Sequence, residues 1–493
     1  MTWNAALGSA FTAYALLTGV FIVRENRRPQ ATLAWMLLFL TLPGVGLAIY
    51  ALFGRDRKAF SRERALARQN LDANAAPLLG PMRARQDAAM QKLEAESPVR
   101  RRLMQLVRRN SHSLLTTANR VAIQQDAAIH YPSLVEDLKG AERSIHLQFF
   151  IWRSDPFTEG LKAILTERAR RGVEVRLLYD PVGSWTLSRR YRRELKAGGV
   201  QVAAASALWR LHTLSYRNHR KIAVIDGRIG YTGGMNIGEE HLDGGPHADS
   251  WRDTQLRLDG EGAAVLQAVF LTDWYNATRE DLFATDRFPL LGKGSEPVTT
   301  PSNGRSGGTE VPVQILTSGP DSEWRAIRQL YFGMIVSAQS RVRLQSPYFI
   351  PDATIAEALK AAALSGVAVD VMVTGQSDSW NQAPFWAANT YFAEVAAAGV
   401  GVHLYERGYL HAKTLTVDGE VCSIGSANLD IRSFSINYEL NAVLYDAHLA
   451  QELEAAFDRD LGSCRAFDPE AYEKRPSLSR WRDSAARLLS PLM

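Results

Sequence analysis

The chain has 493 residues, of which 46% are hydrophobic and 22% are charged, and it contains only two cysteines. This composition excludes collagen-like, disulfide-stapled and wholly disordered proteins, and the length predicts roughly three structural units. The 57 Lys and Arg residues exceed the 52 Asp and Glu residues, which gives a net charge of +5. This mild basic excess suits anionic partners such as phospholipid headgroups or nucleic acid, without choosing between them.

Two long uncharged runs occupy the N-terminus. They cover residues 2–23 and 29–54, and three arginines lie between them. Each run is close to the roughly 20 residues that cross the core of a bilayer. We therefore predict a transmembrane helical hairpin over residues 1–54, with spans at about 3–23 and 31–53 and an interruption of the second helix at Pro43, Gly44 and Gly46. Two buried helices of a soluble core are the alternative.

Basic residues after the second run predict the orientation of the chain. Residues 55–68 carry six Lys or Arg residues, against three in the loop between the runs. The positive-inside rule therefore predicts that residues 55 onward lie in the cytoplasm. We interpret residues 55–125 as a basic, helical juxtamembrane region that lies along an anionic leaflet, with an ordinary solvated helical face as the alternative.

The rest of the chain contains an internal repeat. Strand patterns at residues 144–151 and 172–179 enclose a helical pattern, and residues 341–348 and 366–373 repeat this order. Strands that alternate with helices predict α/β units in each half. The predicted boundaries are a first α/β domain at 126–287, a linker rich in Pro, Gly, Ser and Thr at 288–312, a second α/β domain at 313–470 and an amphipathic tail at 471–493.

Each half ends in the same short constellation of residues. The two copies are His219-x-Lys221-x4-Asp226 followed by Gly233-Gly234-x-Asn236, and His411-x-Lys413-x4-Asp418 followed by Gly425-Ser426-x-Asn428. On an extended strand residues i and i+2 share a face, so each His and its Lys point into the same space. Asp226-Gly227 and Asp418-Gly419 are predicted to form tight turns, and the returning strand then brings the Asn back beside the pair.

Two imidazoles, two ammonium groups and two amides predict chemistry at a phosphodiester. A neutral His attacks phosphorus while a second, protonated His donates to the leaving alkoxide. The lysines and amides hold the non-bridging oxygens as charge builds. We expect no metal and no other cofactor, because side chains supply the positive charge. The symmetry of the motifs leaves open which His is the nucleophile.

These residues resemble the phospholipase D superfamily, with its paired HxKxxxxD motifs, and within it the cardiolipin synthases. The resemblance covers nearly the whole chain and includes Thr32-Leu-Ala-Trp35, Leu52-Phe-Gly-Arg55, Trp251-Arg-Asp253, Ser318-Gly-Pro-Asp321 and residues 425–433. It implies two fused phospholipase D-like α/β domains that meet at one active site, preceded by the transmembrane hairpin. It also implies a phosphohistidine intermediate and phosphatidyl transfer between two phosphatidylglycerol molecules, which gives cardiolipin and glycerol.

The resemblance assigns roles by position. It implies His219 as nucleophile and His411 as general acid, with Asp253 and Glu439 each downstream of its own His and holding that ring by a hydrogen bond. Gly234 departs from the pattern, since the second copy has Ser426 there. The predicted site comprises the motif residues His219, Lys221, Asp226, His411, Lys413 and Asp418, the phosphate-binding residues Asn236, Ser426 and Asn428, and the supporting carboxylates Asp253 and Glu439. The lysines are also implied to bind phosphate, and the two motif aspartates are expected to act structurally at the turns.

The resemblance further implies the partners and location. Phosphatidylglycerol and membrane phospholipids are the expected partners, with no nucleic acid, and the bacterial inner membrane is the expected location. A phospholipase D-type hydrolase, in which water discharges the phosphohistidine, is one alternative, and a nuclease is disfavoured by the membrane hairpin. A catalytically inactive membrane scaffold is disfavoured by the intact motifs.

The remaining candidate residues give weaker indications of function. His146, His212, His241, His247 and His403 show no metal-ligand spacing and are interpreted as satisfied or exposed histidines. Cys422 is predicted to be a core residue. Trp380, Trp386, Tyr391 and Phe392 are also predicted to pack in the core, with a lipid-facing rim as the alternative. Tail residues such as Leu478 and Trp481, mixed with arginines, are typical of an interfacial helix, with a frayed soluble tail as the alternative.

Overall fold

The computed structural model describes residues 3–25, 29–50, 86–91, 93, 97–206, 215–245, 249–284, 287–289, 310–375 and 382–490. The chain divides into two compact units, Met1–Ala59 with Leu208–Ser215, and Phe60–Ala207 with Tyr216–Met493. Both α/β halves lie in the second unit.

The N-terminal unit contains helices α1 (Trp3–Arg24), α2 (Pro29–Thr41) and α3 (Val45–Ile49). Helices α1 and α2 pack together around buried Ile22 and Phe39. The second predicted span is interrupted between α2 and α3, as predicted for Pro43 and Gly44, and Gly44 has a φ of 82°, while Gly46 lies within α3. Residues 51–53 of that span lie outside the described residues. Among the described helices, none combines the length and the apolar character needed to cross a bilayer.

The first α/β half is built on a seven-stranded sheet. Its elements, with the two that precede it, are α4 Pro98–Ser111, β1 Leu115–Thr116, β2 Asn119–Gln125, α5 Ala127–Gly140, β3 Ser144–Phe149, α6 Pro156–Arg170, β4 Glu174–Tyr179, α7 Arg189–Ala197, β5 Gln201–Ala204, β6 Ile222–Ile225, β7 Ile229–Gly233, α8 Glu240–Asp243, β8 Trp251–Arg252, β9 Thr254–Gly260 and α9 Glu261–Thr278. The strand order is β2-β9-β7-β6-β3-β4-β5. Strands β3, β4 and β5 run parallel, and the others pair antiparallel.

The second half repeats this topology. Its elements are β10 Val313–Ser318, α10 Ala326–Ser337, β11 Arg341–Ser346, β12 Phe349–Ile350, α11 Ala353–Leu364, β13 Ala368–Thr374, α12 Ala383–Ala396, β14 Gly401–Tyr405, β15 Tyr409–Leu410, β16 Thr414–Val417, β17 Val421–Gly425, β18 Leu429–Asp430, α13 Ile431–Ser435, β19 Glu439–Leu444, α14 Ala447–Leu461, β20 Cys464–Ala466, α15 Pro469–Glu473 and α16 Ser477–Arg487. The strand order β10-β19-β17-β16-β11-β13-β14 matches the first sheet strand for strand, with β1 and β20 added at the edges. The predicted repeat is therefore present as two copies of one sheet.

A shared apolar core joins the two halves. Leu256 and Phe270 of the first half pack in one cluster with Ile315, Cys422 and Leu440 of the second. Cys422 is fully buried there, as predicted for a small core residue. Because burial of apolar surface supplies most of the stabilisation of a fold, this cluster fixes how the two halves face each other.

Two helices outside the sheets pack on helices of the second half. Helix α4 belongs to the region predicted to lie along a membrane, and it packs on α10 with Leu103, Met104 and Val107 buried. Its membrane role stays a prediction. Residues 51–85 of the expected region lie outside the described part of the chain. At the other end, α16 packs on α12, and the amide of Asn389 donates to the carboxylate of buried Asp483 at 3.2 Å. The described tail is therefore not frayed, and its interfacial role stays a prediction.

Candidate active site

Backbone hydrogen bonds between the halves fix both motif histidines. Strand β8 pairs in parallel with β15, and the N–H of His411 donates to the carbonyl of Arg252 at 2.7 Å. The N–H of His219 donates in the same way to the carbonyl of Tyr438 at 2.9 Å. The residue after each of these carbonyls is an acidic residue, Asp253 or Glu439. Each motif His is therefore held against the acidic segment of the opposite half.

The supporting carboxylates are exchanged between the halves. Nδ1 of His219 lies 3.0 Å from Oε2 of Glu439, and Nδ1 of His411 lies 2.6 Å from Oδ2 of Asp253. The prediction that each acid holds the His of its own half is wrong, because β8 and residue 438 cross to the other half before the acid is reached. Both carboxylates are fully buried. Since Nδ1 is occupied, Nε2 of each ring is left for chemistry.

The two lysines lie behind the histidines. Nζ of Lys221 donates to the carbonyl of His219 at 2.7 Å, and Nζ of Lys413 donates to the carbonyl of His411. Both side chains are buried, and burial holds the pKa of Lys221 well below its usual value. The predicted spacing therefore places each Lys next to its His.

The predicted phosphate-binding residues differ in whether their side-chain oxygens already have hydrogen-bond partners. Oδ1 of Asn236 accepts from the N–H of Ile151 at 3.1 Å, while Oδ1 of buried Asn428 has no hydrogen-bond partner within the described residues. The hydroxyl of Ser426 donates to Oε2 of Glu439 at 2.5 Å and accepts from the N–H of Leu440. Ser426 thus acts on Glu439, and its predicted contact with phosphate is replaced by a positioning contact.

The glycine at position 234 has a steric reason. A Cβ added there would lie 2.1 Å from Oδ1 of Asp253, an oxygen that also accepts from the N–H of Thr254 at 2.7 Å. The second half accommodates Ser426 because its acid is the longer Glu439, which the serine hydroxyl contacts directly. The pairs Gly234–Asp253 and Ser426–Glu439 therefore both leave room for the carboxylate that holds a motif histidine.

We expect Gly234→Ala to displace the Asp253 carboxylate and with it the His411 ring. Loss of such a supporting contact costs about 10- to 100-fold in activity, and overpacking costs about 1–3 kcal/mol of stability. Initial rates and thermal unfolding of the variant measure both effects. Gly160→Ala is the matched control, because a Cβ at Gly160 in α6 meets nothing within 4 Å. A Gly234→Ala protein with the parent rate would contradict this account.

Asp226 and Asp418 occupy the turns, as expected. They have φ values of 53° and 54°, and the following glycines have 65° and 63°, which the tight turns of short hairpins require. Both carboxylates accept backbone N–H groups ahead of a parallel strand: Asp226 those of Glu142, Arg143 and Ser144, and Asp418 those of Gln339, Ser340 and Arg341. These carboxylates are saturated with backbone donors, which makes them structural and not proton carriers.

Burial and nearby charges shift the pKa of all four groups in the two His–carboxylate pairs. It lowers the pKa of His219 and, with help from Lys413 and Lys221, holds the pKa of His411 well below its usual value. Burial also raises the pKa of Asp253. Burial alone would raise the pKa of Glu439 too, but His219, Lys221 and Ser426 hold it below its usual value. The two acids thus differ, since the pKa of Asp253 is raised and that of Glu439 is lowered.

Several residues near the histidines were missed by the sequence analysis. Asp180 follows β4 and accepts from the N–H of Asn218 at 3.1 Å, next to His219. Arg220 pairs with Asp273 of α9 through two contacts of 2.8 Å. The position of Asp180 at the carboxyl end of a parallel strand was an available clue, since sites in such sheets gather there. Asp273 lies on a helix without a recognisable motif, so no sequence signal indicated its place near the site.

The other histidines named in the sequence analysis differ in whether their ring nitrogens have hydrogen-bond partners. His146 contacts Gln267, and His403 lies 2.8 Å from Asp370, so both are satisfied as interpreted. His241 is not, because neither ring nitrogen has a partner within the described residues. His212 and His247 lie outside the described part of the chain. No group of three or more His, Cys, Asp and Glu side chains in the described residues is arranged to hold a metal ion.

Two homologous α/β halves, each contributing one His–Lys motif to a common site, define a phospholipase D-like protein. A family model described as "Cardiolipin synthase, PLD-like domain" matches residues 134–271 and 331–461, and one described as "Phospholipase_D-nuclease N-terminal" matches residues 10–55. The chain belongs to the cardiolipin synthase family of phospholipase D-like proteins.

Relatives and a solved structure support this placement. The chain is 39% identical to a cardiolipin synthase of Geobacillus kaustophilus, over 100% of this chain and 95% of that protein. It is 36% identical to the major cardiolipin synthase ClsA of Bacillus subtilis, over the full length of both. The structure of a phosphatidylserine synthase of Haemophilus influenzae matches 80% of this chain and 100% of its own with a TM-score of 0.60 at 14% identity, which shows a shared fold.

Proposed function

We propose that this protein joins two phosphatidylglycerol molecules into cardiolipin and releases glycerol. The observation that carries the proposal is the pair of buried His–carboxylate contacts exchanged between the halves, in a chain whose full-length relatives are named cardiolipin synthases. Two imidazoles with free Nε2 atoms can serve an attack on phosphorus and the protonation of a leaving alcohol in one site.

In the first step, Nε2 of His219 attacks the phosphorus of phosphatidylglycerol. A P–N bond forms as the P–O bond to the glycerol headgroup breaks, and His411 gives the departing oxygen its Nε2 proton. Lys221 and Lys413 balance the charge on the non-bridging oxygens. Glycerol leaves, and the phosphatidyl group stays on His219 as a phosphohistidine.

In the second step, the headgroup hydroxyl of another phosphatidylglycerol attacks the same phosphorus. Nε2 of His411 removes the hydroxyl proton, the new P–O bond forms, and the P–N bond to His219 breaks. The site returns to its starting protonation state, and cardiolipin leaves. The same imidazole thus serves as acid and then as base.

The distribution of protons favours these roles. Glu439 stays ionised and accepts from Nδ1 of His219, which leaves a lone pair on Nε2 for attack. The raised pKa of Asp253 lets the Asp253–His411 pair retain the proton that the leaving glycerol needs. The unequal acids distinguish the two imidazoles, and the assignment of His219 as nucleophile rests on the family resemblance.

The product formed from phosphatidylglycerol alone tests the proposal. Detergent-purified full-length protein is incubated with this lipid, the lipid products are separated and free glycerol is assayed. We expect cardiolipin and glycerol in equal amounts. Phosphatidic acid and glycerol without cardiolipin would mean that water discharges the intermediate, so the hydrolase alternative would replace the transferase.

An exposed aromatic loop next to His219 supports a lipid surface as the source of substrate. Trp185 is 78% exposed, at the tip of the segment that joins β4 to α7. Asp180 accepts from Val182 and Gly183 in this loop and from the N–H of Asn218, so the loop and the His219 segment share one anchor. An exposed Trp in this place suits the headgroup region of a bilayer, where one side of the indole meets apolar chains and its N–H meets water.

We expect Trp185→Ala to lower the rate of cardiolipin formation on phosphatidylglycerol vesicles by about tenfold, because burial of such a side chain is worth about 1.5–3 kcal/mol. The rate on short-chain phosphatidylglycerol dispersed as monomers should not change. Leu364→Ala is the matched control, because Leu364 is 75% exposed at the end of α11 that leads into the start of β13, the sheet edge opposite the site. Equal losses on vesicles and monomers would contradict a surface role for the loop.

The N-terminal helices are proposed to attach the protein to the bacterial inner membrane, with the catalytic halves in the cytoplasm. The support is a set of exposed large apolar side chains on α1 and α2, including Leu16, Leu17, Leu33 and Leu37, since soluble proteins seldom expose such groups together. We expect the full chain to remain in the membrane pellet after alkaline carbonate extraction. Release into the supernatant would contradict integral attachment.

A further inference from the structure

The repeat identifies two pairs of equivalent positions on either side of the site. His241 follows Asn236 by five residues, as Ser433 follows Asn428. Trp251 precedes Asp253 by two residues, as Asn437 precedes Glu439. The His411 side of the site therefore has an imidazole and an indole where the His219 side has a hydroxyl and an amide.

The polar atoms of the aromatic pair are buried and unpaired. His241 is 2% exposed, and within the described residues neither of its ring nitrogens has a hydrogen-bond partner, nor does Nε1 of Trp251. Leaving a buried donor or acceptor unpaired costs about 1–3 kcal/mol. Such groups in a native structure call for a partner, and a site that binds substrate offers one.

The aromatic pair lies against the catalytic ring. The ring centroids of His241 and Trp251 are 4.6 Å apart, and those of Trp251 and His411 are 5.3 Å apart. The His241 and His411 centroids are 6.3 Å apart. On the opposite side, the ring next to His219 is Phe150 at 4.8 Å, which offers no hydrogen bond, and the unpaired buried atoms there within the described residues are Oγ of Ser433 and Oδ1 of Asn437. The unpaired aromatic donors are thus found next to His411.

We propose that His241 and Trp251 bind the glycerol hydroxyl groups of the alcohol that leaves and enters beside His411. This inference rests on the proposed function, in which one place holds both the departing glycerol and the headgroup of the second phosphatidylglycerol. A neutral imidazole offers one donor and one acceptor, and an indole offers one donor. A diol with two neighbouring hydroxyl groups can satisfy these atoms together, while an alcohol with a single hydroxyl cannot.

The consequence is selection of the acceptor. A site built to hydrogen-bond a hydroxyl rejects an analogue that lacks it, because the buried polar groups of the site are then left unpaired. His241 and Trp251 would favour the glycerol headgroup over simple alcohols, and so direct the phosphohistidine toward cardiolipin. Removing the ring nitrogens while keeping the ring should weaken that preference and leave the first step intact.

A competition between acceptors tests this inference. Full-length protein is incubated with phosphatidylglycerol in the presence of 1-propanol, and the ratio of cardiolipin to phosphatidylpropanol is measured. We expect H241F to lower this ratio about five- to tenfold, the value of one neutral hydrogen bond. H241Q, which restores a donor and an acceptor, should recover most of the parent ratio. H403F, at a histidine that pairs with Asp370 outside the site, should leave the ratio unchanged.

The outcomes separate the two proposals. A parent protein that forms no cardiolipin would overturn the proposed function, whatever the variants do. A parent that forms cardiolipin, with the same product ratio in H241F, would overturn the role of His241. Equal loss in H241F and H241Q, or parallel loss of both products, would show a packing role and overturn it as well. Because the ratio is taken within one sample, a smaller folded fraction does not change it.

Discussion

Alanine at His219 or at His411 is expected to remove nearly all cardiolipin formation, by about 10⁴-fold or more, because residues that act as one unit lose almost everything when either is removed. Each ring is needed in both steps: one carries the phosphatidyl group, and the other moves the proton of the alcohol. The measurement is the initial rate of cardiolipin formation from phosphatidylglycerol. His403→Ala is the control, because His403 pairs with Asp370 outside the site.

The two alanine variants should differ with a substrate whose leaving group needs no proton. With a p-nitrophenyl ester of phosphatidic acid, His411→Ala should release one equivalent of nitrophenol and then stop, with phosphorus attached to His219. His219→Ala should give no such burst, since the nucleophile is gone. Mass spectrometry of the digested protein identifies the modified peptide. A burst from His219→Ala, with the label on His411, would reverse the assignment.

The parts of the site that sequence could predict are those fixed by short-range geometry. The His-x-Lys spacing places both side chains on one face of an extended segment, and the Asp-Gly turns bring each Asn back within a few residues. Asp226 and Asp418 both lie in left-handed turns, as expected from local sequence alone. The repeat of strands and helices likewise follows from periodicity and gives the same sheet order twice.

The parts that sequence could not predict depend on how distant segments meet. The exchange of Asp253 and Glu439 requires β8 to pair with β15, a contact between residues about 160 positions apart that no local pattern encodes. Helix α4 has the basic face of a membrane-lying helix, and only the fold shows that its apolar face packs on α10. His241 is an isolated histidine in the sequence, and its proximity to His411 appears only once the halves are together.

Glu439→Gln and Asp253→Asn are expected to lower kcat by about 100-fold each and to move opposite limbs of the pH profile. The parent rate should be bell-shaped, since neutral His219 and a protonated Asp253–His411 pair are both required. Its acidic limb should lie below the usual histidine pKa, because burial lowers the pKa of His219. The measurement is kcat for each protein across the pH range.

The direction of each shift follows from the charge removed. Glutamine at 439 removes the negative charge that favours the His219 imidazolium, so the pKa of His219 falls further and the acidic limb moves to lower pH. Asparagine at 253 cannot hold a proton, and the His411 imidazolium loses its counter-charge, so the alkaline limb moves to lower pH. Asp370→Asn, which alters a His–carboxylate pair outside the site, should move neither limb.

This experiment also tests which carboxylate lies against which histidine in solution. If each acid supported the His of its own half, Asp253→Asn would act on His219 and move the acidic limb, while Glu439→Gln would move the alkaline one. The exchanged contacts require the reverse. Once the burst experiment has identified the nucleophile, the limb that each variant moves therefore reports which half supplies its acid, because a limb can respond only to the carboxylate that lies against its own histidine.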